Sequence, residues 1–267
     1  MISEVRLPQW LDDYIYDKLK AKYCCANSNM TVIDWDKKDV LNYLGTYFPR
    51  SYAESYCIFS EFFKNNKEQY NNKTELSIFD FGCGTGGEII GLLTVLSEHC
   101  PKLKAINISA LDGNQHALRL FENIIQVYQA RDKSIKIKLK IIPLRIDDFY
   151  DLDVLNSILT ERHDIFMSFK AICEFVTKER FEQQNAYAHI VKNYLPRLKY
   201  DGIMVLADVT TYNNVSQEWL PQMMDAGLAQ VECKTISKNE GYNQIFIINH
   251  KKRQRDKSKI AWRIITQ

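Results

Sequence analysis

From residue 75 onwards, short apolar runs alternate with stretches of helical periodicity. That alternation predicts a parallel α/β sheet with crossover helices. Residues 76–81 form a compact apolar run that stops at glycines, a first strand. Residues 88–99 follow with Ile89, Ile90, Leu92, Leu93 and Leu96 at helical spacing. The pattern then predicts a strand over 105–111, a helix over 115–129, a strand within 133–144, a strand over 164–169 and a long helix over 177–198. A fifth strand is expected at 202–209 and a helix at 215–226. Residues 231–236 and 244–249 read as a closing hairpin around Lys238-Asn239-Glu240-Gly241.

One strand declares its place in the sheet. Ile135-Lys136-Ile137-Lys138-Leu139-Lys140-Ile141 alternates strictly, whereas central parallel strands are continuously apolar. Lysines along a strand protect an edge, so this one belongs at the rim, with a basic stripe for RNA as the competing reading.

Residues 1–73 differ in character, with Gly45 as their one glycine and no strand pattern. Tyr52, Tyr56, Phe59 and Phe63 recur at helical spacing, which predicts an amphipathic helix docked on the α/β body. A second reading makes this segment a lid over a ligand, with Arg50 and one or two tyrosines facing it. At the other end, Lys251, Lys252, Arg253, Arg255, Lys257 and Lys259 crowd around a single Asp256, ahead of the apolar Ile260-Ala261-Trp262. This is expected to be a basic loop (251–259) leading into an extra strand, a candidate phosphate contact or a solvated turn.

Composition narrows the class. With 267 residues and 46% hydrophobic, the chain is globular and can bury a substantial core. A net charge of +2 gives no global pull towards nucleic acid. No apolar run approaches the length of a bilayer span, and the first residues lack a signal-peptide layout. The expectation is a cytoplasmic protein without a membrane contact. The seven cysteines include no Cys-x-x-Cys, and the five histidines are dispersed, so no metal site is expected and the thiols are read as reduced.

The chemistry lies at the first strand end, Asp80-Phe81-Gly82-Cys83-Gly84-Thr85-Gly86-Gly87. Glycines there let the backbone turn tightly and approach a ligand at a helix N-terminus. Gly82, Gly84 and Gly87 satisfy the G-x-G-x-x-G spacing, and open α/β sheets bind ligands at this strand end. Asp80 decides which ligand. A carboxylate beside the turn conflicts with a pyrophosphate and suits a cofactor carrying a sulfonium and an ammonium. S-adenosylmethionine fits that description, and a nicotinamide dinucleotide fits it poorly.

The motif from Asp80 to Gly86 resembles the first motif of the class I S-adenosylmethionine-dependent methyltransferases, and the likeness extends over roughly residues 75–250. The resemblance implies a Rossmann-like α/β sheet of order 3-2-1-4-5-7-6 with strand seven antiparallel, which puts the lysine-bearing strand three at an edge. It implies that Asp80, Gly82, Cys83 and Gly84 line the cofactor site. Asp112, in Leu111-Asp112-Gly113-Asn114, stands where the family places an acid on the ribose hydroxyls. Ile146 would pack on the adenine and Asp147 would meet its amino group, with Asp148 the rival, while Ser168 matches the fourth-strand position in the cleft. Helix capping or a turn is the alternative for Asp112 and Asp147.

The acceptor is not written in a motif. The amino-methyltransferases of adenine and cytosine carry Asn/Asp-Pro-Pro-aromatic after strand four. Here Ser168-Phe169-Lys170-Ala171 stands instead, which disfavours an exocyclic base amine. Cys173 lacks the adjacent proline of a cytosine carbon-5 nucleophile. Lys170 and Glu174, four residues apart near the cleft, are the candidate catalytic pair, with a helix-surface ion pair as the alternative. Asp208, after strand five, is a further candidate. Leu7-Pro8 with a following helix, then Tyr43-Leu44-Gly45-Thr46-Tyr47-Phe48-Pro49-Arg50-Ser51-Tyr52-Ala53-Glu54, resembles the N-terminal layout of methyltransferase-like proteins tied to small-ribosomal-subunit assembly. That likeness would place Arg50 and Tyr52 near cofactor or RNA substrate; the cysteine cluster those proteins carry after the fold has no counterpart here.

The chain thus reads as a helical lid or substrate region (1–73) followed by an S-adenosylmethionine-binding domain (74–267). The expected activity is methyl transfer to an RNA, protein or small-molecule acceptor. A non-catalytic cofactor-binding assembly factor is the alternative, and a nicotinamide-dependent oxidoreductase is disfavoured by Asp80.

Overall fold

A computed structural model describes residues 4–24, 35–146, 150, 156–176, 185–214 and 216–267. The parallel strands β2 (Glu75–Phe81), β3 (Ala105–Asp112), β4 (Lys136–Pro143), β5 (His163–Phe169) and β6 (Leu198–Val209) form one side of a sheet. β2 is buried from Leu76 to Phe81, as a central strand must be. β4 lies at the edge, with Lys136, Lys138 and Lys140 exposed in alternation.

The other side departs from the expected hairpin. β9 (Lys234–Lys238) and β10 (Gln244–His250) do not pair with each other. Both run along the same flank of β11 (Arg253–Thr266), which is antiparallel to them and to β6. Residues 239–243 are therefore a break within one line of strand. Asn239 holds that break in place, its side chain accepting the Trp262 N–H at 2.8 Å. Strand seven is β11, and the presumed basic loop is largely its first half. The order β4-β3-β2-β5-β6-β11-β10 reproduces 3-2-1-4-5-7-6, with β1 (Glu4–Arg6) added parallel to β10. β1 lies where no strand was expected, because three residues are too few to show a period.

Helices cover both faces. α1 (Gln9–Asp13), α2 (Lys37–Asn65), α4 (Gly87–His99) and α5 (Gln115–Arg131) lie on one, with the short α3 (Lys67–Tyr70) after α2. α6 (Ile172–Val176), α7 (Ala186–Tyr194) and α8 (Leu220–Leu228) lie on the other. The expected 177–198 helix is shorter where it is described. Asn185 caps α7 by accepting from the Tyr187 and Ala188 N–H groups, and Pro196 follows its end; residues 177–184 lie outside the described residues. The expected 215–226 helix begins instead at Leu220, after a two-stranded ribbon of β7 (Tyr212–Asn213) and β8 (Glu218–Trp219), with Pro221 in its first turn, where no N–H is needed.

α2 is the chain's long helix, opened by Asp36, which accepts from the Lys38 and Asp39 N–H groups. Pro49 lies inside it and cannot bond the Gly45 carbonyl, so the Tyr16 hydroxyl donates to that oxygen at 2.6 Å. Leu44, Phe48, Phe59 and Phe63 of α2 share one apolar cluster with Ile78 of β2 and Leu92 of α4. α4 approaches α2 closely through two glycines: a Cβ on Gly87 would lie 2.5 Å from the Phe48 carbonyl oxygen, and one on Gly91 2.6 Å from that of Tyr52. No helix among the described residues is long and apolar enough to cross a membrane.

Candidate cofactor and active site

The site is built at the carboxyl ends of β2, β3 and β5. After Phe81 the chain turns through Gly82 at φ 74°, a region that favours glycine, and a Cβ there would lie 2.3 Å from that of Ala171. The Gly82 and Cys83 N–H groups donate to the Leu111 carbonyl at 2.8 and 3.0 Å, tying the turn to β3. Asp112 braces it from the side, its carboxylate accepting the Gly84 N–H at 2.8 Å and the Asn114 N–H at 2.7 Å. Burial pushes the Asp112 carboxyl up, against the pull of these N–H groups. The residue that caps α5 is Asn114, which accepts from the His116 and Ala117 N–H groups.

Asp80 is fully buried, and neither of its oxygens has a hydrogen-bond donor among the described groups. Beside it stands Glu88, buried in the first turn of α4. Burial raises both carboxyls, and the two acids press against each other. Lys170 draws Glu88 the other way.

A cavity of about 60 Å³ opens here, lined among others by Tyr43, Gly84, Asp112, Ile146, Lys170 and Glu174. That is far below the ~300 Å³ typical of a ligand pocket, and the Tyr43 hydroxyl lies over Gly84, 3.2 Å from where a Cβ would be. Gly82 and Gly113 also line it. Cys83 is a buried thiol in the turn, pushed up by burial. Ser168 is buried on β5 with its hydroxyl unpartnered. Asp147 and Asp148 lie outside the described residues.

Lys170 ends β5 at φ 58°, an uncommon conformation for a side-chain-bearing residue. Its ammonium pairs with Glu54 of α2 at 2.8 Å, and not with Glu174 as a helix-surface pair would require. Ser258 of β11 also donates to Glu54, so three distant segments meet at this lysine. Asp208 is not among the residues that line the cavity. It accepts the Cys173 N–H at 2.9 Å and the Tyr187 hydroxyl at 3.1 Å, and burial pushes its carboxyl up to about 6 against those bonds.

Arg50 and Tyr52 lie elsewhere. Arg50 makes a two-pronged bond to Asp256 at 2.8 and 2.9 Å, and Tyr52 is buried and stacked on Tyr56. The α2 tyrosine that reaches the cavity is Tyr43. The basic stretch is partly neutralised, Lys251 by Asp13 and Asp17, Arg253 by Asp256 and Arg255 by Glu4. Sequence reasoning passed over Glu88, Glu54 and Tyr43. The lone acid in the apolar run that follows the glycines is a readable sign of Glu88, whereas nothing local marks the other two.

No family model and no curated protein sequence matches the chain. Among solved structures it is similar to the magnesium protoporphyrin IX methyltransferase of Synechocystis PCC 6803 with bound S-adenosylmethionine, at 9% identity and TM-score 0.48 over 96% of this chain and 90% of that one. It is also similar to precorrin-6y C5,15-methyltransferase from Geobacter metallireducens, at 14% identity and TM-score 0.40 over 78% and 87%. A third is the rRNA methyltransferase aviRa from Streptomyces viridochromogenes, at 12% identity and TM-score 0.40 over 77% and 82%. The fold assignment rests on the strand order itself, which is that of the class I methyltransferases.

Proposed function

We propose that the protein is an S-adenosylmethionine-dependent methyltransferase. The observation that carries this reading is Asp80, a fully buried acid with both oxygens lacking a donor, at the glycine turn. A pyrophosphate there would meet two carboxylic acids, whereas an ammonium supplies the missing donors and balances the charge. Asp80 and Glu88 would hold the methionine ammonium. Asp112 spends one acceptor position per oxygen on backbone N–H groups and keeps others for ribose hydroxyls. Ile146 offers an apolar surface to the adenine, and Asp147, Gly113, Asn114, Cys83 and Ser168 complete the proposed set.

When bound, the cofactor supplies an activated methyl group on a sulfonium, so the chain's own task is positioning and exclusion of water. Tyr43 covers the turn and keeps water out. Lys170, held by Glu54, brings a fixed positive charge to the mouth, and Glu174 beside it orients an acceptor or accepts its proton. The acceptor approaches over these two residues.

Calorimetry with S-adenosylmethionine and its demethylated product tests the reading. Binding that Asp112→Ala weakens at least tenfold is expected, followed by transfer of labelled methyl to a component of cell extract. Binding without transfer would leave a cofactor-holding assembly factor, and binding of NADH in place of both ligands would sink the proposal.

A further inference from the structure

Beyond the cavity, the molecule exposes an aromatic and basic surface that no part of the proposed cofactor site uses. Tyr212 and Trp219 stand opposite each other in the β7–β8 ribbon, their rings 5.3 Å apart. Trp219 also meets the ring of Tyr242 edge-on at 6.0 Å. Tyr242 sits in the break between β9 and β10 and donates its hydroxyl to the Thr210 carbonyl at 3.2 Å. On the adjoining strands Ile245 lies opposite Lys259 and Ile247 opposite Lys257. Tyr212, Trp219, Tyr242 and Ile245 are 40%, 45%, 40% and 46% exposed, four of the six large apolar side chains most exposed among the described residues.

Strand alternation sorts the charges around these rings. Asp256 and Ser258 face α2, where they bind Arg50 and Glu54, so Lys257 and Lys259 point to the opposite face with Ile245 and Ile247. Arg253 and Arg255 are engaged by acids, but Lys257 and Lys259 are exposed and have no carboxylate within ion-pair reach among the described residues. Glu218 falls on the other face of the ribbon, opposite Asn213. Glu240, in the break, is the one acid adjoining the rings in sequence on that side.

Rings exposed on one side, with centroids 5–6 Å apart, beside two exposed lysines suit flat bases joined by phosphates. A duplex hides its base faces, so the partner is single-stranded. Position supports the same partner. β5 and β6 run parallel with Phe169 opposite Ala207, and Thr210 lies just beyond that level. Ile260 pairs with Val209, so the basic half of β11 overhangs the same end of the sheet as the glycine turn. Ser258, between the two lysines, reaches Glu54 and through it Lys170.

We propose that this surface binds single-stranded nucleic acid and leads it to the Lys170–Glu174 mouth. The second half of that statement rests on the methyltransferase reading; the binding itself does not.

The test is fluorescence anisotropy of the full chain with a labelled oligouridine of about a dozen nucleotides, from about 50 to 200 mM salt. Trp219→Ala with Tyr242→Ala should weaken binding about tenfold or more at fixed salt, and Trp219→Phe should restore most of the Trp219 share. Lys257→Ala with Lys259→Ala should lower the log–log salt slope by about 1.4, the contribution of two phosphate contacts on a single strand. Calorimetry with S-adenosylmethionine on the same variants should be unchanged, since none of these side chains lines the cavity. Equal affinity in the aromatic variants, or a duplex bound as tightly as the single strand, overturns the proposal. So does a dimer that Trp219→Ala dissolves in sedimentation, which would assign the surface to a second copy. Oligonucleotide binding by a protein that holds no S-adenosylmethionine would sustain this inference and remove the methyltransferase reading.

Discussion

Asp80→Asn is expected to make the protein more stable and less able to bind its cofactor. In the ligand-free protein burial raises the carboxyls of both Asp80 and Glu88, whereas in the unfolded chain both ionise near pH 4. Their folded-state titration is raised, so the native state holds more protons than the unfolded state over the window between the two. Stability must therefore fall as pH rises through that window, by about 1.4 kcal/mol per pH unit for one proton. For a chain of this size that is about 3–6 °C of melting temperature per pH unit. An amide at position 80 removes one of the two acids, so the part of this slope that Asp80 supplies should vanish while Glu88, raised by its own burial, keeps the rest. Melting curves of both proteins from pH 5 to about 8 would show the difference, with the variant gaining most at the alkaline end. Saturating S-adenosylmethionine should flatten the wild-type slope, because its ammonium replaces the proton. Parallel profiles for the two proteins would refute the raised Asp80 carboxyl and weaken the argument for a cationic ligand beside it.

Lys170→Met leaves the buried Glu54 without its cation and should cost about 3–5 kcal/mol, while the double change with Glu54→Gln should recover much of it in a double-mutant denaturation cycle. Gly91→Ala puts a methyl 2.6 Å from the Tyr52 carbonyl oxygen and should cost about 1–3 kcal/mol by overpacking the α2–α4 contact, read as a lower urea midpoint with an unchanged slope. Asp256 is buried, which alone would raise its carboxyl, but His250 at 3.7 Å and the hydrogen bonds from Arg50 and Tyr23 hold it well below the usual carboxylate range. Its contribution is present above about pH 4 and is lost as pH falls through the lower native value. Arg50→Ala should therefore move the acid-unfolding midpoint upwards, measured by circular dichroism.

The glycine turn, Asp112 and the edge position of β4 were legible because each is written locally: a spacing, a strand end, an alternation of lysines. The identity of strand seven was not. Its first half carries Arg253, Arg255, Lys257 and Lys259, a composition that reads as loop, and the acids that meet it, Glu4 and Asp256, are respectively far away in sequence and hidden within the run itself. The break at 239–243 carries the polar and glycine residues of a hairpin turn, and only the insertion of β11 shows that the two flanking strands never meet. Lys170 was legible as lying near the cleft, but its partner was not, because Glu54 arrives from α2 and no local spacing links them. Tyr52 and Tyr43 belong to the same helical aromatic series, and only packing against α4 or against the glycine turn separates them.

The sheet's two sides also differ in how far along the chain their strands must reach. β2, β3 and β4 follow one another with single crossover helices, so they can pair early. β11 must enter between β6 and β10, and β1 pairs with β10 across nearly the whole sequence. We expect hydrogen-exchange protection to appear in β2 and β3 before β10 and β11 during refolding. Until β11 enters, the long apolar β6 is an open edge, so an arrested or truncated chain should be prone to joining its neighbours edge to edge. The surface bearing Trp219, Tyr242 and Lys259 exists only once that gap has closed, and with it the danger of aggregation ends.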